Sequence, residues 1–205
     1  TYSGVTIGIF SGGTSGSDPL IVTFNSSASV AAVQEVLASI QFDNVSDNPS
    51  MLNREVTFSL TDGDGGTSTP VTKTVLVQAT NDTPINSIPG AQSAVENTPL
   101  AIGGISVADG NGDLASTQLS VAHGTLTVTL SGGATISAGA NGSTTLTISG
   151  SQAAINATLA SLVYQGDVSY VGADTLTVLS TDSQGASDSD TVSITVASGN
   201  VAPIN

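Results

Sequence analysis

Carboxylates are the reactive side chains this sequence offers most often, and they gather at strand ends and linkers. Asp62 and Asp64, Asp82, Glu96, Asp109 and Asp113, and then Asp182, Asp188 and Asp190 all sit in such places. Asp109-Gly110-Asn111-Gly112-Asp113 sets oxygen side chains at alternate positions on a loop loosened by glycine. Ca²⁺ takes about 6–8 oxygen ligands from carboxylates, amides and carbonyls, so loops of this kind suit it. The loop is not an EF-hand: Leu114 stands where that loop needs Gly, and Ser120 where it needs a closing Glu. Asp and Asn in loops also cap turns and add solubility. As a set, these residues are expected to hold Ca²⁺. Asp43, Asp47, Asp167 and Asp174 are expected to be plain turn or surface residues.

Other chemistries fare worse. The 205 residues include no Cys and one His, which excludes a Cys-based zinc site, a disulfide framework and a thiol nucleophile. A Ser-His-Asp triad would have to run through His123, which sits just before Gly124 at a turn, so no enzyme is expected. Sixteen acidic residues face only Arg54 and Lys73, a formal charge of −14. Phosphate-rich partners need clustered Lys and Arg, so neither nucleic acid nor an anionic membrane surface is expected to bind. No apolar run approaches the ~18 residues that span a bilayer, and no signal peptide opens the chain. Sugar sites use exposed aromatics, and Tyr170 is the best candidate for one.

The elements that must position the carboxylates follow from period-two patterning. Thr125-Leu126-Thr127-Val128-Thr129-Leu130 alternates Thr with aliphatics, which predicts a half-buried strand. The same alternation marks 145–148, 175–179 and 192–196, and earlier 21–24, 56–60 and 71–77. Gly, Asn, Asp and Ser clusters between the runs mark turns. Two segments break the pattern. Val33, Val36, Leu37 and Ile40, and likewise Ala154, Ile155, Leu159 and Leu162, recur at helical spacing behind Ser29 and Ser151 as N-caps.

The chain also repeats itself at roughly 120 residues. Gly4–Gly13 aligns with Gly124–Gly133, Ser29–Ile40 with Ser151–Leu162, Val56–Asp62 with Leu176–Asp182, and Pro84-Ile85-Asn86 with Pro203-Ile204-Asn205. The expected organisation is an incomplete module over 1–84 lacking its first strands, a complete module over 85–198, and the start of a linker over 199–205. The fold class expected is all-β: tandem immunoglobulin-like, cadherin-like β-sandwich modules, each with one short helix. If strands alternate up and down, the loop 109–113 and Asp182 share one end of the second module. The linker Asn81-Asp82 and Glu96 are expected at that end too, making an inter-module Ca²⁺ site. Asp62 and Asp64 are expected to face the preceding junction.

Glu96-Asn97-Thr98-Pro99-Leu100, Ile105-Ser106-Val107-Ala108-Asp109, Thr181-Asp182 with Gly185, and the joint Asn81-Asp82-Thr83-Pro84 resemble bacterial cadherin-like tandem repeats of large secreted surface adhesins. The resemblance covers nearly the whole chain. It implies Ca²⁺-rigidified sandwiches extending from a cell surface, with Glu96, Asp109, Asp113, Asp182 and Asp82 as ligands. Gly199-Asn200-Val201-Ala202-Pro203 lacks the Asp of that joint. The expected function is an extracellular structural or adhesive repeat in a longer array. Its expected partners are neighbouring repeats or identical chains, with extracellular polysaccharide as a further one. A carbohydrate-binding module and a filament subunit joined by strand exchange are the alternatives.

Overall fold

A computed structural model describes residues 1–199. The expected linker over 199–205 therefore lies almost wholly outside the described residues. The chain is mostly β, with several sheets and two short helices, and it divides into two compact units at Val45/Ser46.

The first unit holds β1 (Gly8–Ser11), β2 (Ile21–Phe24) and α1 (Val30–Ala38). The strands form a two-stranded antiparallel sheet with Ile9 opposite Thr23 and Phe10 opposite Val22. Ser29 caps α1, its hydroxyl accepting from the Ala32 N–H at 3.2 Å. Only Ile7 and Ala32 are buried apolar residues in this unit.

The second unit opens with a hairpin, β3 (Arg54–Phe58) against β4 (Val71–Val75). Then follow β5 (Ile85–Ser87), β6 (Gln92–Val95), β7 (Pro99–Ala101), β8 (Ser106–Ala108), β9 (Leu114–Ser120), β10 (Gly124–Thr127), β11 (Thr135–Gly139) and β12 (Thr145–Ser149). The unit closes with α2 (Gln152–Leu159), β13 (Val163–Gly166), β14 (Gly172–Asp182) and β15 (Ser187–Ala197). A six-stranded sheet runs β11-β12-β9-β14-β15-β6, and a three-stranded sheet runs β10-β13-β7. All its pairs are antiparallel except β15 with β6. Alternate residues of both sheets meet in one core, among them Leu119, Leu146, Leu176 and Ile194 from the first and Leu126 and Tyr164 from the second. α2 lays Ile155 and Leu159 on it, and Ser151 caps that helix at the Ala154 N–H, 3.3 Å.

One hairpin geometry recurs in the two units, at an offset other than the one the sequence alignment gives. β1–β2 corresponds to β11–β12 and not to the strand beginning at Gly124. Phe10 faces Val22 as Ile136 faces Ile148. Gly12 and Gly139 both have φ of +72°, and a Cβ at either would lie 2.1 Å from a carbonyl oxygen, of Pro19 and Thr145 respectively. A glycine is required at that point of each hairpin, because the opposing backbone leaves no room. The Ser-Gly-Gly identity had aligned the wrong turn.

Candidate metal centre

The β14–β15 hairpin turns at Asp182. Its Oδ1 accepts from the backbone N–H groups of Gln184 (2.9 Å) and Ala186 (2.8 Å), and its own N–H donates to the Ala186 carbonyl (3.0 Å). Its Oδ2 accepts from the Asn81 amide at 2.8 Å. That amide leads the groups that hold the Asp182 carboxyl below the usual carboxylate range, assisted by turn N–H groups and opposed by burial.

The loop after β8 turns at Asp109 in a similar way. Asp109 Oδ1 accepts from the Gly112 N–H at 2.9 Å. The period that buries Ile105 and Val107 also carries Asp109 inward, leaving it 8% exposed. Its N–H donates to Gln152 of α2 at 2.9 Å, fixing the loop to the helix. Asp113 follows at the end of this loop. Its carbonyl accepts from the Ser183 N–H (3.0 Å), and its Oδ2 accepts from the Ser183 hydroxyl (2.8 Å) and the Gln184 amide (3.3 Å). Two loops far apart in sequence are thus stitched together.

Asp109, Asp113 and Asp182 each present a carboxylate oxygen, and the three oxygens lie within 4.8 Å of one another. Asp109 Oδ2 and Asp113 Oδ1 are buried and have no hydrogen-bond partner. Buried polar atoms are nearly always paired, and a bare carboxylate oxygen beside two others is electrostatically costly. The donors are all hard oxygens with no imidazole or thiolate among them, which suits Ca²⁺ over the softer transition metals.

The other expected ligands have different roles. Asp82 adjoins the same loop: its N–H donates to Asn111 Oδ1, and its carboxylate borders Gly110. Asn111 works as a clamp: its amide donates to the carbonyls of Thr80 (2.9 Å) and Asp47 (3.2 Å). Glu96 lies elsewhere. Its N–H donates to Ala197, and its carboxylate accepts from Gly199 at 3.1 Å. β15 runs from the metal centre to Ala197, so Glu96 stands roughly 30 Å away at about 3.3 Å per residue. Asp62 and Asp64 share one exposed turn between β3 and β4, with Asp62 Oδ1 accepting from the N–H of Asp64 (3.0 Å) and Gly66 (2.9 Å).

Sequence reasoning placed Asn81 at this end with the linker but gave no role to Ser183 or Gln184; together the three bind the carboxylates of Asp113 and Asp182. It also missed the burial of Asp174, at the other end of β14 from Asp182, which accepts from the N–H groups of Ala122 and His123 (3.0 Å each) and Thr175 (2.8 Å), and from the Tyr164 hydroxyl (2.9 Å). Burial alone would raise the Asp174 carboxyl, but these donors outweigh it and hold it low. Burial, with Asp174 beside it, pushes the Tyr164 phenol up. His123 stacks on Tyr170 at 4.0 Å between ring centroids, so Tyr170 is not a free aromatic platform.

Residues 105–191 match the family model described as the Protein GAMETE EXPRESSED 2 domain, a segment that contains Asp109, Asp113 and Asp182. No curated protein matches the chain. The matched domain is named for a gamete-expressed protein and is not a bacterial adhesin repeat. That finding overturns the resemblance to bacterial cadherin-like adhesins. The readings as a bacterial adhesive array, a polysaccharide-binding module of a surface protein or a filament subunit fall with it. Among the described residues, no helix is long and apolar enough to cross a membrane.

Proposed function

We propose that this chain carries a non-catalytic, divalent-cation-binding β-sandwich domain of immunoglobulin-like type, and that Ca²⁺ is the ion. The single observation that carries the reading is the pair of buried, unpartnered carboxylate oxygens on Asp109 and Asp113, aimed at the same point as Asp182. A cation there would neutralise three converging charges and complete what hydrogen bonds leave open. The loops 109–113 and 182–186 would become one rigid end of the domain. Asp82, beside Gly110, is near enough to the loop to contribute to its field.

The matched domain supports a setting. We place the chain outside the cell in a gamete-expressed protein, where millimolar Ca²⁺ is available and a rigid loop end serves contact with another protein. The formal charge of −14 argues against nucleic acid as that partner.

Calorimetric titration of the EDTA-treated chain with CaCl₂, paired with thermal unfolding, tests the reading. The expected result is saturable binding and a raised melting temperature. Ligand bound only by the folded state adds RT ln(1 + [L]/Kd), about 2.7 kcal/mol at 100-fold saturation. Absence of both heat and shift at millimolar Ca²⁺ would overturn it.

A further inference from the structure

The turn between β1 and β2 holds the one Asp-Pro bond of the sequence, Asp18-Pro19. Such a bond is chemically weak. The aspartate carboxylate can reach its own main-chain carbonyl carbon by closing a small ring. The leaving nitrogen belongs to a tertiary amide and takes up a proton more readily than other peptide nitrogens do.

In this turn the reacting groups are held in place. Asp18 Oδ2 accepts from the Thr14 hydroxyl at 2.7 Å and from the Thr14 N–H at 3.2 Å. These bonds outweigh burial and hold the Asp18 carboxyl below the usual carboxylate range, which keeps it ionised, the form that attacks a carbonyl. Oδ1 carries neither bond and lies over Gly12, where a Cβ would sit 3.0 Å from it and 2.1 Å from the Pro19 carbonyl oxygen. The Asp18 carbonyl oxygen accepts from the Gly13 N–H at 3.1 Å, and the Asp18 N–H donates to the Ser15 carbonyl at 3.1 Å. Gly12 and Gly13, at φ of +72° and +76°, bring the Gly13 N–H round to that carbonyl. A donor so placed stabilises the negative charge that develops on a carbonyl oxygen under attack.

We propose that this turn cuts its own chain between Asp18 and Pro19. Asp18 Oδ1 bonds to the Asp18 carbonyl carbon, and the carbonyl oxygen takes the negative charge beside the Gly13 N–H. The bond from that carbon to the Pro19 nitrogen then breaks, and the nitrogen takes a proton from water. A cyclic anhydride is left on Asp18, and a water molecule opens it. The net reaction is hydrolysis of one peptide bond: residue 18 ends in two carboxyl groups, and residue 19 begins with a secondary amine. Each chain does this once, so the reaction is self-processing and not turnover. The cut severs β1 from β2. Only four residue pairs join those strands, and Ile7 and Ala32 are the buried apolar residues of the unit, so little retains residues 1–18 afterwards. This inference is independent of the cation.

The test incubates the full chain in mildly acidic buffer, folded or unfolded in urea, and follows its intact mass. Expected is conversion into fragments 1–18 and 19–205, with one heavy oxygen entering residue 18 when the water is isotopically labelled. The folded chain should cut at least roughly tenfold faster than the unfolded one, because the fold holds nucleophile and carbonyl together. Asp18→Ala should abolish the cut in both states. Thr14→Val should slow the folded chain several-fold and leave the unfolded rate unchanged, since Thr14 acts by positioning the carboxylate. The proposal is overturned if the bond stays intact in the folded chain. It is equally overturned if folded and unfolded chains cut at the same rate, because the break is then a property of any Asp-Pro pair and not of this turn.

Discussion

Asp62 and Asp182 close two hairpins with the same turn. Each carboxylate accepts from the N–H groups two and four residues ahead, and each N–H donates to the carbonyl four ahead. Yet Asp182 is buried among other carboxylates, while Asp62 is exposed. The difference is the loop 109–113, which the β14–β15 hairpin meets through Ser183 and which, among the described residues, has no counterpart beside β3–β4. A turn-capping aspartate is therefore half of a site. The converging partner loop makes the other half.

The comparison breaks most strongly at the far end of the same hairpins. Asp174 faces Ile194 where Arg54 faces Val75. Asp174→Ala would strip an acceptor from three backbone N–H groups around a buried side chain, and should cost about 3 kcal/mol or more in urea unfolding. Arg54→Ala, whose guanidinium reaches only the carbonyls of Ser50 and Leu52, should cost about 0.5 kcal/mol or less. Equal losses would show that the two hairpins are stabilised alike.

How much of this was legible in the sequence depends on what fixed each residue's place. The loop 109–113 and Asp182 were legible because antiparallel strands alternate direction and bring those two turns to one end. Glu96 was misplaced because β6 pairs parallel with β15, which reverses the end at which the strand exits. Asp174 was misread although a signal existed: it shares the parity of Leu176 and Val178, both fully buried. Polarity was allowed to outweigh period. The bonds from Asn81 to Asp182 and from Gln184 to Asn81 carried no signal, since contacts a hundred residues apart depend on how the two loops meet.

The next expected effect isolates the partner loop. Asp109→Asn should abolish the Ca²⁺-dependent rise in melting temperature, about 2.7 kcal/mol at 100-fold saturation. Without Ca²⁺ it should slightly stabilise the chain, because one of three converging charges is gone. Asp62→Asn should leave the Ca²⁺ response unchanged. A response lost equally in both variants would mean that the two turns, not the partner loop, bind the ion.

Acid titration sharpens the contrast next. Asp174 and Asp182 have folded values held below the unfolded one near 4. Their contribution is therefore present above pH ~4 and is lost as pH falls through the lowered values. Urea midpoints measured without Ca²⁺ should decline below pH ~4, and Asp174→Asn should flatten that decline. An unchanged slope in the variant would remove Asp174 from the account.

The smallest effect lies inside the turn itself. Position 66 is Gly in the β3–β4 turn and position 186 is Ala in the β14–β15 turn, each donating its N–H to the aspartate. A Cβ on Gly66 would lie 2.4 Å from Asp62 Oδ2, so Gly66→Ala must push that oxygen aside. The exposed carboxylate can rotate, and the cost should be about 0.5–1 kcal/mol, the worth of one weakened hydrogen bond. At Ala186 the same methyl is already accommodated, because the Asn81 amide holds Asp182 Oδ2 at 2.8 Å. Ala186→Gly should then cost a similar amount through backbone entropy alone. If Gly66→Ala instead stabilises the chain, Asp62 already sits as Asp182 does, and the two turns differ only in their neighbours.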